Sequence, residues 1–156
     1  MTIKRLLIAN RGEIASRIIS SAHDMGISCV AIYTEADKDT PYVREADQAF
    51  KLSDSYLNSK EILDIALKSN SDAIHPGYGF LSENAAFANQ VKKLNIKWVG
   101  PSSNAIKKMG DKLTAKEIAI KANVPTLPMT SDPKKANSIG YPILVKAAAG
   151  GGGKGM

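Results

Sequence analysis

A chain of 156 residues has room for one ordinary domain, or for one domain and the opening of a second, with a substantial core. Its 44% hydrophobic and 23% charged content excludes intrinsic disorder, and no apolar run approaches membrane-spanning length. The net charge of +6 admits nucleic acid, a membrane surface or small anions as partners. However, Lys92, Lys93, Lys97, Lys107, Lys108, Lys116 and Lys121 are spread over several helical segments among acids. Little aromatic residue interleaves with them, which argues for solvated faces rather than nucleic acid or membrane contact.

In chain order, Arg5 to Ala9 reads as a first buried strand. Its apolar stretch, Leu6 to Ala9, is too short for a signal peptide, so nothing points to export and a cytoplasmic location is expected. Ile14, Ile18, Ala22 and Met25 then recur at helical spacing until Gly26. Ser28 to Tyr33 is the second strand. Within it Cys29, the single cysteine, reads as a small core residue. A weaker strand covers Ala49 to Leu52. A helix follows Asn58, with Glu61 supporting the cap and Ile62, Leu63, Ala66 and Leu67 facing inward. Ala73 to His75 is a fourth strand, running into a Pro-Gly-Tyr-Gly turn. Ser82 is the expected cap of the next helix, which turns Phe87, Val91 and Leu94 inward, and Lys97 to Val99 completes the layer. This alternation predicts a parallel α/β sheet.

Gly100-Pro101 punctuates the pattern. Ser102 and Asp111 cap two further helices, the first closed by Gly110 and the second ending near Asn123, and a domain boundary within Gly100 to Gly110 divides 1–105 from 106–156. Beyond Pro125 the chain reads as loop until Pro142 to Lys146, an apolar strand feeding a glycine-rich tail that ends at Met156. A chain stopping inside four glycines reads as a truncation of a larger protein.

Three segments carry candidate chemistry. The turn Ala9-Asn-Arg-Gly-Glu-Ile-Ala15 sets one glycine between a strand and a helix, which permits anion approach. Only Gly12 of a dinucleotide fingerprint is present, although Glu35 ends the second strand where a ribose-binding acid would sit, so a nicotinamide dehydrogenase is an outside reading and a packing turn the plain one. His75-Pro-Gly-Tyr-Gly-Phe-Leu-Ser-Glu-Asn84 sets two glycines, an aromatic residue and Glu83, expected in the first helical turn, at a strand's C-terminal end, where open α/β sheets bind ligands. His75 itself reads as hydrogen-bonded within that turn rather than as catalytic or metal-ligating. Lys146 with Gly150 to Gly155 combines strand-borne charge with a loop dense in backbone donors, which suits phosphate. Gly153-Lys154-Gly155 lacks the Ser or Thr of a Walker loop.

Taken in order, IANRGEIASRI (Ile8 to Ile18), HPGYGFLSEN (His75 to Asn84), MGDK (Met109 to Lys112) and GYPILVKAAAGGGGKGM (Gly140 to Met156) resemble the biotin carboxylase family across the whole chain. The resemblance implies a Rossmann-like, pre-ATP-grasp parallel sheet with helices on both faces, followed by the truncated start of an ATP-grasp domain. It implies that Lys112 and Lys146 bind nucleotide and that Gly152 and Gly153 cover its phosphates. Tyr78, Gly79 and Glu83 then face the bicarbonate and biotin side, and Arg17 lies near a dimer interface. In that family the Asn10 to Ile14 turn is not the ATP site, and Lys154 stands where some relatives have Arg.

The implied reaction is ATP- and Mg²⁺- (or Mn²⁺-) dependent carboxylation of carrier-linked biotin by bicarbonate through carboxyphosphate. It is the first half-reaction of biotin-dependent carboxylases such as the acetyl-CoA carboxylase of fatty acid biosynthesis. Implied partners are a biotin carboxyl carrier, a carboxyltransferase and a second copy in a homodimer. The general base and metal-binding carboxylates are expected beyond Met156, so no catalytic residue or metal ligand is assigned within the chain, and the isolated chain should bind ATP feebly and turn nothing over. The alternatives are another ATP-grasp ligase, such as a carbamoyl-phosphate synthetase half, and a non-enzymatic nucleotide-binding module.

Overall fold

The structure is a computed structural model that describes residues 2–145; Lys146 and the glycine tail with Gly152 and Gly153 lie outside the described residues. The chain divides into two compact units, 1–106 and 107–156. In chain order the first contains β1 (Arg5–Ile8), α1 (Gly12–Asp24), β2 (Ser28–Tyr33), α2 (Pro41–Glu45), β3 (Gln48–Lys51), α3 (Ser59–Lys68), β4 (Ala73–His75), α4 (Ala85–Lys93) and β5 (Lys97–Trp98), with α5 (Ser103–Gly110) starting at its end. The five strands form one parallel sheet in the order β3-β2-β1-β4-β5.

The continuous apolar runs of β1, β2 and β4 follow from burial on both faces, as parallel sheets require. Alternate residues part cleanly. Leu6, Ile8, Cys29, Ala31 and Ala73 face one core with Ile14, Ile18 and Ile19 of α1 and Tyr42 of α2. Leu7, Ala9, Val30, Ile32 and Ile74 face a second core with α3, α4 and Trp98. There Phe87 meets Trp98 edge-on at 5.7 Å between ring centroids, and Ile106 closes one end. Helices on both faces of a parallel sheet are thus the architecture, as the sequence led us to expect.

Some local expectations give way. In α3, Ile65 rather than Leu67 is buried, and Leu67 is 50% exposed. Both flank Ala66 by one helical step, and the sheet lies on the Ile65 side. Asn84, not Ser82, caps α4, accepting from the Phe87 N–H at 2.9 Å. The chain before it is still turning, with Ser82 N–H on Gly79 O and Asn84 N–H on Leu81 O. Glu83 is therefore in a turn, not in the helix, and Leu94 is a half-exposed C-cap. The short 3-10 turn Glu35–Asp37 and α2 were not foreseen.

The cap of α3 is reinforced from outside the helix. Asn58 Oδ1 accepts from the Glu61 N–H, and Asn58 Nδ2 donates to Glu61 Oε2 at 3.1 Å. The Glu61 carboxylate also accepts from the Ser53 N–H and hydroxyl, both at 2.8 Å. Asn58→Ala is expected to lower stability by about 1 kcal/mol in urea unfolding, the ordinary cost of a lost cap.

The second unit holds α6 (Lys112–Lys121), capped by Asp111 on the Thr114 N–H at 2.7 Å, and a 3-10 turn at Pro133–Ser138. The apolar strand expected from Pro142 is not formed among the described residues. Leu144 and Val145 are 66% and 75% exposed, and Lys146, the last residue of the expected strand, lies outside the described residues. No helix among the described residues is long and apolar enough to cross a membrane.

Candidate functional site

The order β3-β2-β1-β4-β5 means that the chain leaves β1 toward one side of the sheet while β4 and β5 lie on the other. The C-terminal ends of β1 and β4 are therefore the topological switch point, where loops diverge and open a crevice. A cavity of about 380 Å³ lies there, lined by Asn10, Arg11, Gly12, Tyr78, Gly79 and Phe80 among others. A larger hollow of about 620 Å³ opens at the opposite edge beside Lys4, Asp72, Lys97 and Trp98. It lies at the N-terminal ends of the strands, so the smaller one is the candidate site.

Asn10, 2% exposed, organises the crevice. Its Nδ2 donates to Pro76 O at 2.7 Å and to Tyr78 O at 2.8 Å, while its Oδ1 accepts from the Arg11 N–H. One side chain therefore pins the turn after β4 to the turn after β1. Gly77 and Gly79 both take positive φ, 63° and 68°. At Gly77 an added Cβ would stand 2.5 Å from Asn10 Nδ2, whereas at Gly79 it would meet open space. The result is a Tyr78 ring held outward and exposed on a fixed backbone.

His75 completes the turn as read from the sequence. Its Nδ1 accepts the Gly77 N–H at 2.9 Å, and burial, with the charge of Arg17, holds the imidazole below its ordinary range. A neutral ring whose Nδ1 is already engaged is a structural acceptor. Glu83 is exposed on the turn that follows.

A second set of residues, not expected from the sequence, adjoins the crevice. Arg11 donates Nε to Asp37 Oδ2 at 2.9 Å and a second hydrogen bond from Nη2 to Oδ1, a forked pair. Asp37 is buried and also accepts from Tyr56 Oη at 2.6 Å and Thr34 Oγ1. Tyr56 in turn meets Tyr42 Oη, which donates to Ile32 O. The Arg11 guanidinium, ahead of the two hydroxyls, holds the Asp37 carboxyl below its usual range against the opposing effect of burial. Burial pushes both tyrosines up, so they remain neutral donors. Tyr56 also packs on Phe80 at 5.2 Å between ring centroids, which ties the network to the crevice wall. The signal available in the sequence was the Asn10-Arg11 pair itself, polar residues directly after a buried strand.

Of the residues expected in a site, Tyr78, Gly79 and Glu83 lie together on this turn. Arg17 is exposed on α1, and Lys112 opens α6 in the second unit. Lys146, Gly152 and Gly153 lie outside the described residues.

Comparison with known proteins gives the family of the chain. Residues 2–106 match the family described as Biotin carboxylase, N-terminal domain, and 111–156 match the ATP binding domain of the carbamoyl-phosphate synthase L chain. The chain is 50% identical to Biotin carboxylase 1 of Bacillus subtilis over 99% of its own length and 37% of that protein's. It is 47% identical to a pyruvate carboxylase subunit of Methanothermobacter thermautotrophicus over 97% of its length and 34% of the relative's. The biotin carboxylase domain dimer of the Hydrogenobacter thermophilus 2-oxoglutarate carboxylase, solved with MgADP, ADP and bicarbonate, superposes with a TM-score of 0.90. Its identity is 43%, covering 97% of this chain and 36% of that one. Rhizobium etli pyruvate carboxylase, solved with acetyl coenzyme A, gives a TM-score of 0.91 at 38% identity, covering 99% of this chain and 15% of that one. The chain thus spans about a third or less of the length of these relatives. With residues 2–106 matched end to end and the crevice built from the same residues that carry the sequence likeness, the chain belongs to the biotin carboxylase family.

Proposed function

We propose that this chain supplies the entry part of a biotin carboxylase site, in which ATP activates bicarbonate for transfer to carrier-linked biotin. The observation that carries the proposal is the Tyr78–Gly79 turn, pinned by Asn10 at the switch point of a sheet belonging to this family. In the reaction, a bicarbonate oxygen attacks the γ-phosphorus of ATP and ADP leaves, forming carboxyphosphate. The N1 of biotin, once deprotonated, then takes the carboxyl carbon and phosphate departs.

On this reading Tyr78, Gly79 and Glu83 bound the bicarbonate and biotin side. Lys112, at the start of α6, and Lys146 hold the nucleotide, with Gly152 and Gly153 over its phosphates. Residues 106–156 open the ATP-grasp domain, and 1–105 form the domain before it. When bound, Mg²⁺ (or Mn²⁺) neutralises phosphate charge. Arg17 contributes to a homodimer, and the working partners are a biotin carrier and a carboxyltransferase. The buried free thiol of Cys29 is in keeping with a reducing compartment such as the cytoplasm. Relatives named for biotin carboxylase and for pyruvate carboxylase match almost equally well. The proposal therefore ends at carboxybiotin, and acetyl-CoA, the acceptor of fatty acid biosynthesis, is the first acceptor to supply to the intact system. The carbamoyl-phosphate synthetase alternative has the match over 111–156 in its favour, but residues 2–106 and the whole-chain relatives weigh against it.

The test is ADP release by the full-length protein, which should require bicarbonate and rise with biotin. Glu83→Gln should cut kcat by about tenfold or more with the KM for ATP unchanged, because the change lies on the bicarbonate side. ADP release indifferent to biotin, or micromolar ATP binding by residues 1–156 alone in calorimetry, would count against the proposal.

A further inference from the structure

At the opposite edge of the sheet from the crevice, three donors of different chemistry converge. His23 lies in the last turn of α1, Cys29 is the second residue of β2, and Asp47 immediately precedes β3. One ligand atom from each, an imidazole nitrogen, the thiol sulfur and a carboxylate oxygen, all lie within 4.8 Å of one another. Whatever their exact arrangement, some point is then within about 2.8 Å of all three, and zinc bonds to such donors are about 2.0–2.3 Å long. An inward movement of less than about an ångström closes the set.

The members are suited to that movement. Cys29 is fully buried and fixed by its strand, whereas His23 and Asp47 are exposed side chains that can shift at the surface. Asp47 is already oriented, because its Oδ2 accepts from the Cys29 N–H at 2.7 Å and lies 2.9 Å from His23 Nε2. The Cys29 sulfur has only long contacts, to Ile27 O at 3.7 Å and Ile19 O at 4.0 Å.

We propose that His23, Cys29 and Asp47 bind one zinc-class divalent ion, through thiolate, imidazole and carboxylate, with water in the fourth position on the exposed side. The soft sulfur selects against Mg²⁺ and Ca²⁺, which prefer all-oxygen sites. On binding, the S–H bond breaks, its proton passes to solvent and the sulfur lone pair forms the metal bond; the imidazole binds as the neutral ring. Without an ion, burial and the Asp47 charge push the thiol up to about 11, so that it is protonated and inert. A metal ion reverses that balance by its own charge. The ligands come from α1, β2 and the approach to β3, so the ion would clamp one helix and two strands, a structural role independent of the carboxylase reading.

Cobalt(II) is the probe. Cys29 is the chain's single cysteine, so a thiolate-to-cobalt charge-transfer absorption reports this residue alone. One equivalent of Co²⁺ should give that absorption in the near ultraviolet, and Zn²⁺ should abolish it by displacement. Cys29→Ser should lack it. His23→Ala, a change at an exposed position, should weaken binding by about tenfold or more while its melting temperature in chelator stays at the wild-type value. No charge-transfer absorption in the wild-type chain, or equal cobalt affinity in a folded His23→Ala chain, overturns the proposal.

Discussion

Gly77→Ala is expected to destabilise the chain by about 2–3 kcal/mol and, on the proposed function, to cost the full-length protein about tenfold or more in kcat/KM for bicarbonate. Two effects add at this position. A φ of 63° is left-handed backbone, which costs an L-residue about 1–2 kcal/mol. The new Cβ would also stand 2.5 Å from Asn10 Nδ2, and Asn10 cannot retreat, because it is buried and its amide is held by two carbonyls. The turn must move instead, carrying Tyr78 with it. Gly79→Ala is the internal control: its φ of 68° brings the same strain, but the new methyl meets nothing. Urea unfolding of both variants separates strain from collision. Equal losses would mean that the Gly77 methyl meets no obstacle at Asn10, whereas in an Asn10→Ala background, itself less stable, the excess cost of Gly77→Ala over Gly79→Ala should shrink.

Asp37→Ala is expected to cost about 2–3 kcal/mol at neutral pH. The carboxylate side chain is 4% exposed and accepts hydrogen bonds from Arg11, Tyr56 and Thr34. Removing it takes from the buried Tyr56 hydroxyl its charged acceptor and leaves it the Tyr42 hydroxyl and the Thr34 N–H, while Arg11, 48% exposed, can turn to water and limits the loss. The effect has a definite pH sense. A carboxyl held below its ordinary range contributes stability that is complete above its unfolded value, about 3.9, and is lost as pH falls through the folded value. The gap between wild type and Asp37→Ala should therefore be full at pH 7 and shrink on acidification below about pH 4. An equal gap in denaturant unfolding at pH 7 and pH 2 would show that charge contributes nothing here.

The sheet was legible because parallel strands buried on both sides read as unbroken apolar runs, as in Leu6 to Ala9 and Ser28 to Tyr33. The turn at His75 was legible because two glycines two residues apart rarely serve anything but unusual backbone. The Arg11–Asp37 pair was not. Glu35, Asp37 and Asp39 lie within five residues and look alike in sequence; only the fold shows which of them points inward toward an arginine 26 positions earlier. Asn10 was missed for a related reason, since its partners are backbone carbonyls, which leave no trace in residue identity. At Pro142 the apolar run fixes what wants burial, but the described residues 142–145 form no strand.

β1 is four residues long, yet it is the wall between two cores: Leu6 and Ile8 belong to one, Leu7 to the other, as does Ala9 just past its end. Adjacent positions in the chain are thus strangers in packing. A void opened at Leu7 faces the cluster covered by α3 and α4, and one at Ile8 the cluster covered by α1 and α2. Over evolutionary time the two sides of the sheet are therefore free to exchange their apolar residues as separate compartments, each repaired from within, while β1 and its neighbours β2 and β4 answer to both.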